Sequence, residues 1–405
     1  EEMISLQPVK IAENIYWVGA VDWNIRSFHG PSYHTPYGTT YNSYLIMDDK
    51  ITLVDGVHAD FAHELLANIR AIVDPARIDV VVVNHVEPDH SGAIPAVMAN
   101  APKAKIYCSR QAKAALAKHY FADWDYNVVK TGDSLSIGQN TLQFIEAPML
   151  HWPDSMFTYI EEQELLMPND AFGQHLATST RFADEVDESL LMHEAAKYYA
   201  NILLPFSDLV VKKITEIGKM GLKISTIAPG HGVIWRKDPA KIINAYLEWA
   251  SGATGKKAVI VYDTMWGSTD KMARKVLDGL VSEGFAVKFH KAQVSDRTSI
   301  LTDVMESSVI FFGSSTINNG FLPTLAPILD ELKGLKPRKK VVGCFGSQGW
   351  AGGAIKHMEH ALEEAGIPVS LPSVAVKWVP TADELAACRE LGVNAAKLVP
   401  ANELS

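Results

Sequence analysis

The sequence predicts a two-domain protein of mixed α/β and α+β class, a layered αββα sandwich over residues 1–252 followed by a doubly wound parallel sheet over residues 256–405. Three observations predict it. The 405-residue length suits two or three domains. The small-residue stretch SGATGKK at 251–257 separates a helical pattern, KIINAYLEW, from an apolar run, AVIVYD. Strands and helices also alternate differently on its two sides.

After the break the alternation is regular. Apolar runs AVIVYD (258–263), AVKFH (286–290), VIFFG (309–313), KVVGCFG (340–346) and SVAVKW (373–378) are each followed by a helical pattern, at 269–283, 297–306, 323–333, 353–365 and 382–398. Successive βα units of this kind read as a parallel sheet covered by helices on both faces. Before the break, strand-like runs IYWVGAV, YNSYLIM, ITLVDG, DVVVVNH, AKIYC, LQFIEAP and TYIEEQELLMP are interspersed with helices expected at 60–72, 92–100, 111–118 and 188–201. That mixture suits stacked sheets with helices outside.

Composition excludes several classes. Lys and Arg total 37 against 47 Asp and Glu, and a net charge of −10 argues against a nucleic-acid backbone as partner. Cys108, Cys344 and Cys388 are too widely spaced for a disulfide framework or paired CxxC units, so a reducing cytoplasm is expected. The start, EEMISLQPVKIAENIYWVG, lacks the basic region and apolar run of a signal peptide, and no stretch approaches the roughly 20 apolar residues of a spanning helix. No membrane role is expected.

The first 250 residues hold 11 of the 14 histidines, the others being His290, His357 and His360. Two lie in NHVEPDHSG, where His85, Glu87, Asp89 and His90 follow an apolar strand. Imidazole with carboxylate suits borderline first-row cations, and a strand end is a rigid support for them. His151 after FIEAPML, Asp170 after ELLMPN and His231 in STIAPGHG sit at further strand-to-loop junctions. A carboxylate such as Asp170 can give one oxygen to each of two ions, so the set describes a binuclear centre.

The HxxxDH core with a distant His, Asp and His resembles the metallo-β-lactamase superfamily, whose zinc hydrolases usually read HxHxDH; here Glu87 stands at the second histidine. HxExDH, a C-terminal flavodoxin-like domain, and the segments LHWPDSM, NDAFGQH and YYANI together resemble the flavodiiron proteins over essentially the whole chain. The resemblance implies a non-haem diiron centre: His85, Glu87 and His151 on one iron, Asp89, His90 and His231 on the other, and Asp170 bridging. Exchanging a neutral imidazole for a carboxylate adds negative charge, which favours a metal that reaches the ferric state over zinc. The resemblance also places His29 and either Tyr198 or Tyr199 in the diiron pocket, as hydrogen-bond donors to a bound oxygen species. Asp55 is expected to orient a ligand histidine.

In the second domain, TMWGST precedes the helix KMARKVLDGL and offers hydroxyls and backbone N–H groups at a helix N-terminus, an anion site. No GxxxxGK is present, so a nucleoside triphosphate is not favoured and a flavin monophosphate is. Thr264, Met265, Trp266, Gly267, Ser268 and Thr269 resemble the flavodoxin phosphate loop TxTGxT, with Trp266 at its middle threonine. The loops Ser314, Ser315, Thr316, Ile317, Asn318, Asn319, Gly320 and Ser347, Gln348, Gly349, Trp350, Gly352 would lie beside it at the topological switch point of a 2-1-3-4-5 sheet. Asn318, Asn319 and Gly320 would address the ring edge, and Trp266 and Trp350 would stack on it.

The implied activity is reduction of dioxygen to water or of nitric oxide to nitrous oxide, with two Fe and FMN. The resemblance further implies rubredoxin or a reduced deazaflavin as donor and a head-to-tail homodimer or dimer of dimers. The competing class is a zinc-dependent hydrolase carrying a flavodoxin-like domain; a third is a flavoprotein carrier with a vestigial metal site.

Overall fold

The computed structural model describes residues 7–252 and 254–400. The first six residues of the start read for targeting, and the expected outer ends of the domains at 1 and 405, lie outside them. The chain forms two compact units, one of Glu1–Tyr198 with Asp208–Tyr246, the other of Tyr199–Ser207 with Leu247–Ser405. The change at Leu247 falls inside the helix Pro239–Ser251, a few residues before the expected linker. No local pattern marks Tyr199–Ser207 as part of the second unit.

In the first unit a seven-stranded sheet runs Val9–Ala12, Ile15–Trp17, Tyr44–Ile46, Ile51–Val54, Ile78–Val83, Lys105–Cys108, Tyr126–Val128. A five-stranded sheet runs Ser134–Ser136, Thr141–Glu146, Met156–Ile160, Leu165–Met167, Thr226–Ile227. One apolar cluster joins them: Ile15, Trp17, Tyr44, Val80 and Val82 from the first meet Leu142, Phe144, Met156 and Met167 from the second. Period-two alternation explains the choice, since Val80 and Val82 face the partner sheet while Val81 and Val83, equally buried, face the opposite way. The connections Ala62–Arg70, Ile94–Asn100 and Arg110–Tyr120 bury Leu65, Ile69, Val97 and Leu116. Ser109 starts the last of these, its hydroxyl accepting from Ala112 N–H at 3.1 Å.

Two apolar runs prove to be pairs of strands. IYWVGAV divides into Ile15–Trp17 and Ala20–Asp22 because the backbone of Tyr41 passes so close to Gly19 that an added Cβ would lie 2.1 Å from Tyr41 O. TYIEEQELLMP is a hairpin whose acidic middle, Glu161–Gln163, forms a 3₁₀ turn. Helix Glu188–Tyr198 ends earlier than expected, in a π turn over Tyr199–Leu203, and the helix Ser207–Lys219 was not anticipated.

The second unit's sheet has the order Ala286–Lys291, Lys257–Tyr262, Val309–Ser315, Val341–Gln348, Val374–Lys377, all parallel, which is the expected 2-1-3-4-5 order. Separate apolar clusters lie on its two faces, one around Val259, Ile310 and Met358, the other around Ile260, Phe311 and Leu280. Thr381 caps the final helix Ala382–Leu398 in a reciprocal box with Glu384. Loops after the first, third and fourth strands therefore emerge side by side at the carboxyl end of the sheet.

Candidate functional site

The loop after Ile78–Val83 turns at Pro88 into a short helix, Pro88–Ser91, and places His85, Glu87, Asp89 and His90 on successive positions of one bend. His151, Asp170 and His231 arrive from the loops after Thr141–Glu146, Leu165–Met167 and Thr226–Ile227. All seven come together in two groups, His85, Glu87, His151, Asp170 and Asp89, His90, His231, each with its ligand atoms within 4.8 Å of one another.

Asp170 stands between the groups. Its Oδ2 is 3.1 Å from His151 Nε2 and 3.5 Å from His85 Nε2, while its Oδ1 is 2.9 Å from His90 Nε2 and 3.6 Å from His231 Nε2. Glu87 Oε2 closes the first group at 3.3 Å from His151 Nε2 and 3.4 Å from His85 Nε2. Asp89 Oδ2 closes the second, 3.0 Å from His231 Nε2 and 3.4 Å from His90 Nε2.

The electrostatics of this pocket ask for cations. Burial works against ionised Asp170, yet the neighbouring His90, His151 and His85 hold its carboxyl well below the usual range. Glu87 is likewise driven far down, burial being outweighed by hydrogen bonds with His151, His29 and His85. Burial alone would lower His90, but Asp89 and Asp170 push it up to about 9. Protons on these imidazoles and bound metal ions are alternative sources of the same positive charge. Both Asp89 oxygens and Asp170 Oδ2 are buried yet take no aligned hydrogen bond from any described residue. Buried carboxylate lone pairs that converge with imidazole nitrogens are what a metal-ligand set requires, so the residues fit a two-metal centre.

Supporting contacts fix the ligand rings. Asp154 Oδ2 accepts from His85 Nδ1 at 2.9 Å and from Val86 N–H at 2.9 Å, so Nδ1 is engaged as a donor and Nε2 is the nitrogen that faces Glu87 and Asp170. His231 Nδ1 likewise donates to Thr40 O at 2.6 Å. Asp55 does not meet a histidine ring as expected. Its carboxylate accepts from Asn84 N–H (2.7 Å), Asn84 Nδ2 (3.0 Å) and Asn169 Nδ2 (3.1 Å), tying together the residues just before His85 and Asp170. The orienting role expected of Asp55 is taken by Asp154, three residues after His151 in LHWPDSM, a segment of the family resemblance in which it was not singled out. Asp154→Asn is expected to weaken metal retention about 10- to 100-fold with the fold intact, measured as metal per chain after dialysis against a graded chelator series.

His29 Nε2 is 3.0 Å from Glu87 Oε1, at the wall of a cleft of ≈ 370 Å³ also lined by Ile25, Phe28, Tyr41, Phe61 and Asp89. The Tyr198 ring is buried, 6.2 Å from the His231 ring; the Tyr199 hydroxyl, in the second unit, lies 3.0 Å from Ser207 Oγ. His175, the last residue of NDAFGQH and not singled out there, is fully buried with its ring 4.8 Å from His231. Burial and the nearby His231 hold it well below the ordinary imidazole range.

In the second unit the 15-residue helix Ser268–Ser282 starts from Gly267 at φ 89°, and no side chain caps it. Its first N–H groups are thus left for an external acceptor. Thr264 Oγ1 shapes the approach by accepting from Gly267 N–H at 3.0 Å. Three expected cofactor hydroxyls lie within hydrogen-bonding reach of one another: Thr269 Oγ1 is 2.9 Å from both Ser315 Oγ and Ser347 Oγ, which are 3.2 Å apart. Asn318 and Asn319 form a tight turn at φ 48° and 61°, across which Ile317 and Gly320 exchange N–H···O bonds of 3.0 and 2.8 Å. A Cβ on Gly349 would lie 2.8 Å from the Trp378 ring and one on Gly352 2.0 Å from Gln348 Oε1. Trp266 and Trp350 are 95% and 88% exposed, and Trp350 is partnered at 5.9 Å by Trp378, which the sequence reading missed. Close backbone approach, free helix amides and exposed aromatic rings fit a flavin phosphate.

Fold and site together define a class: a metallo-β-lactamase-like domain with a two-metal pocket, joined to a flavodoxin-like domain. Comparison with known proteins agrees. Residues 39–232 match the ODP family beta lactamase and residues 260–392 match Flavodoxin. The chain is 55% identical over 388 residues to a nitric oxide reductase of Moorella thermoacetica, covering 95% of this chain and 97% of that one. It is 45% identical to an anaerobic nitric oxide reductase flavorubredoxin of Aeromonas hydrophila, covering 95% of this chain and 78% of the relative. Among solved structures, a rubredoxin oxygen:oxidoreductase from Desulfovibrio gigas superposes with a TM-score of 0.95 at 38% identity, covering 98% of this chain and all of that one. A flavodiiron protein from Giardia intestinalis superposes with a TM-score of 0.93 at 35% identity, covering 98% and 97%. The chain belongs to the flavodiiron protein family, and it is an oxidoreductase rather than a hydrolase.

Proposed function

We propose that this chain reduces nitric oxide to nitrous oxide with two electrons, and dioxygen to water with four as a second reading. The observation that carries the proposal is Asp170, with one oxygen turned to each of two histidine–carboxylate groups. His85, Glu87 and His151 would hold one iron, Asp89, His90 and His231 the other, and Asp170 both; the loops at 264–269, 314–320 and 347–352 would hold FMN. Two irons offer open coordination positions and one-electron steps, and FMN stores two further electrons.

The chain's own residues then bind and shield. Ile25, Phe28 and Phe61 give the cleft apolar walls that admit a neutral diatomic, and Asp22 and Asp60 on the same cleft repel anions. His29 holds Glu87 in place, and Tyr198 packs beside His231 as a further pocket wall. The 55% identity to a nitric oxide reductase over nearly its full length favours nitric oxide; the likeness to an oxygen oxidoreductase supports the dioxygen reading.

Rubredoxin is the proposed donor, reduced deazaflavin the second choice, and a head-to-tail homodimer or dimer of dimers the proposed assembly, in the cytoplasm. No helix among the described residues is long and apolar enough to cross a membrane. The test is anaerobic turnover of the purified, chemically reduced protein with each gas, alongside metal analysis. Two irons per chain and faster nitric oxide than dioxygen consumption are expected. Two zinc ions, no iron and no gas uptake would defeat the proposal.

A further inference from the structure

Reduction of nitric oxide consumes one proton for each electron: two NO, two electrons and two protons give N₂O and water, with one N–O bond lost and one N–N bond formed. Reduction of dioxygen to water keeps the same ratio. The electrons come from the reduced donor, whereas the protons have to cross from solvent to the metal pocket. The ≈ 370 Å³ cleft offers the route. Its wall includes the candidate ligands Glu87 and Asp89 and also His58 and Asp60, whose side chains are 39% and 85% exposed. His58 therefore borders both the cleft and bulk solvent.

Among the side chains of this cleft, His58 is the one suited to pass protons on. Imidazole is the side chain that ordinarily exchanges a proton between about pH 5 and 8, whereas carboxylic acids and phenols ordinarily do so well outside that span. Burial and Asp22 push the Tyr41 phenol further up. Glu87 and Asp89 belong to the metal set, and His29 is committed to Glu87 Oε1 at 3.0 Å. His58 starts the 3₁₀ turn Ala59–Phe61, where its Nδ1 accepts from Asp60 N–H at 3.3 Å and lies 3.6 Å from Asp60 Oδ2. The Tyr41 ring stacks on the imidazole at 5.8 Å and 28°, and the same ring lies 6.0 Å from that of His231, so His58 stands one ring away from a candidate ligand. The charged and titratable groups around it on the cleft are Asp60 on its own turn, Asp22 and Tyr41 on the paired strands Ala20–Asp22 and Thr39–Tyr41, His29, and Glu87 with Asp89 on the ligand bend. His63 and Glu64, on the helix that follows, do not line it.

We propose that His58 is the proton relay of the reaction cleft: its imidazole takes up a proton from solvent and gives one to water inside the cleft, for use at the metal pair. The assignment rests on the gas-reductase reading above. His58 makes no bond to the substrate and returns to its neutral state with each proton given, so its part is supply and not catalysis at the reacting atoms.

The experiment measures anaerobic nitric oxide turnover by the reduced, iron-replete and FMN-bound full chain in dilute buffer, with and without added imidazole. His58→Asn and His58→Ser each keep an oxygen that can accept the Asp60 N–H and remove the relay. Each is expected to turn over about 10-fold more slowly than wild type in dilute buffer, less than the roughly 10²- to 10⁴-fold of a group acting on the reacting atoms, because water still carries some protons down the cleft. Added imidazole should restore most of the rate to both variants and leave wild type and His63→Gln unchanged, a rescue that a merely structural role does not produce. Iron and FMN contents should match wild type. Independently of the variants' rates, the ring NMR signal of His58, identified by its loss in His58→Asn, should shift over the pH span in which wild-type turnover changes. If His58→Asn fails to fold, His58→Ser decides the matter. Wild-type turnover in the folded variants, or a loss that imidazole does not relieve, overturns the assignment. A wild-type chain that consumes no nitric oxide would remove the functional reading and this one with it, whereas an active wild type whose rate both variants keep would remove only this one.

Discussion

Asp170→Asn is expected to reduce bound iron from two per chain to at most one and to abolish gas reduction. The substitution is nearly isosteric, so the fold should persist; what changes is charge and bidentate capacity. Asp170 Oδ2 faces His151 and His85, and Oδ1 faces His90 and His231, each within 3.6 Å. An amide supplies one acceptor oxygen and turns an NH₂, which can donate hydrogen bonds but cannot bind a cation, towards the other pair of imidazoles. The loss should exceed the roughly 10- to 100-fold typical of contacts that only orient a ligand, and so exceed that of Asp154→Asn. Iron per chain by elemental analysis, with thermal unfolding as the control for folding, measures it. Two tightly held irons in the variant would show that Asp170 does not bridge.

The site was more legible in sequence than the fold around it, and particular residues show why. His85, Glu87, Asp89 and His90 crowd one short bend, so their chemistry is visible without knowing where the chain goes. Asp154 and Trp378 are single residues of ordinary types, and their contacts with His85 and Trp350 lie 69 and 28 positions away along the chain. Residue type alone does not show which distant ring such a side chain will meet. The regular second unit was read nearly strand for strand, because a parallel sheet covered on both faces demands continuous apolar runs. In the first unit, apolar continuity misled: the run through Gly19 is divided by the close passage of Tyr41, a tertiary event with no local mark except the glycine itself. Helix Ser207–Lys219 went unmarked although its apolar residues recur at helical spacing, as Leu209, Val210, Ile214 and Ile217 show.

Gly353→Ala is expected to weaken flavin binding while leaving the metal pair in place. Gly353 begins the helix Ala354–Glu364, and a Cβ there would lie 1.9 Å from Asn319 O and 2.5 Å from Asn319 C, both backbone atoms. Neither side can yield cheaply. The Asn318–Asn319 turn is already in left-handed conformation and locked by the paired bonds between Ile317 and Gly320, and Ala354 N–H on the opposing loop is held by Thr316 Oγ1 at 3.4 Å. Relief therefore separates the third and fourth loops, the two that would flank the flavin ring. Overpacking of this kind costs about 1–3 kcal/mol, equivalent to a loss of roughly 5- to 150-fold in FMN affinity if it is spent mainly on loop geometry. Because every clashing atom belongs to the second unit, iron content should be unchanged. Flavin released on gel filtration, titration of the flavin-free chain with FMN by fluorescence quenching, and elemental analysis on one preparation give the three readouts. Wild-type FMN affinity in folded Gly353→Ala would mean that these loops do not define the flavin site.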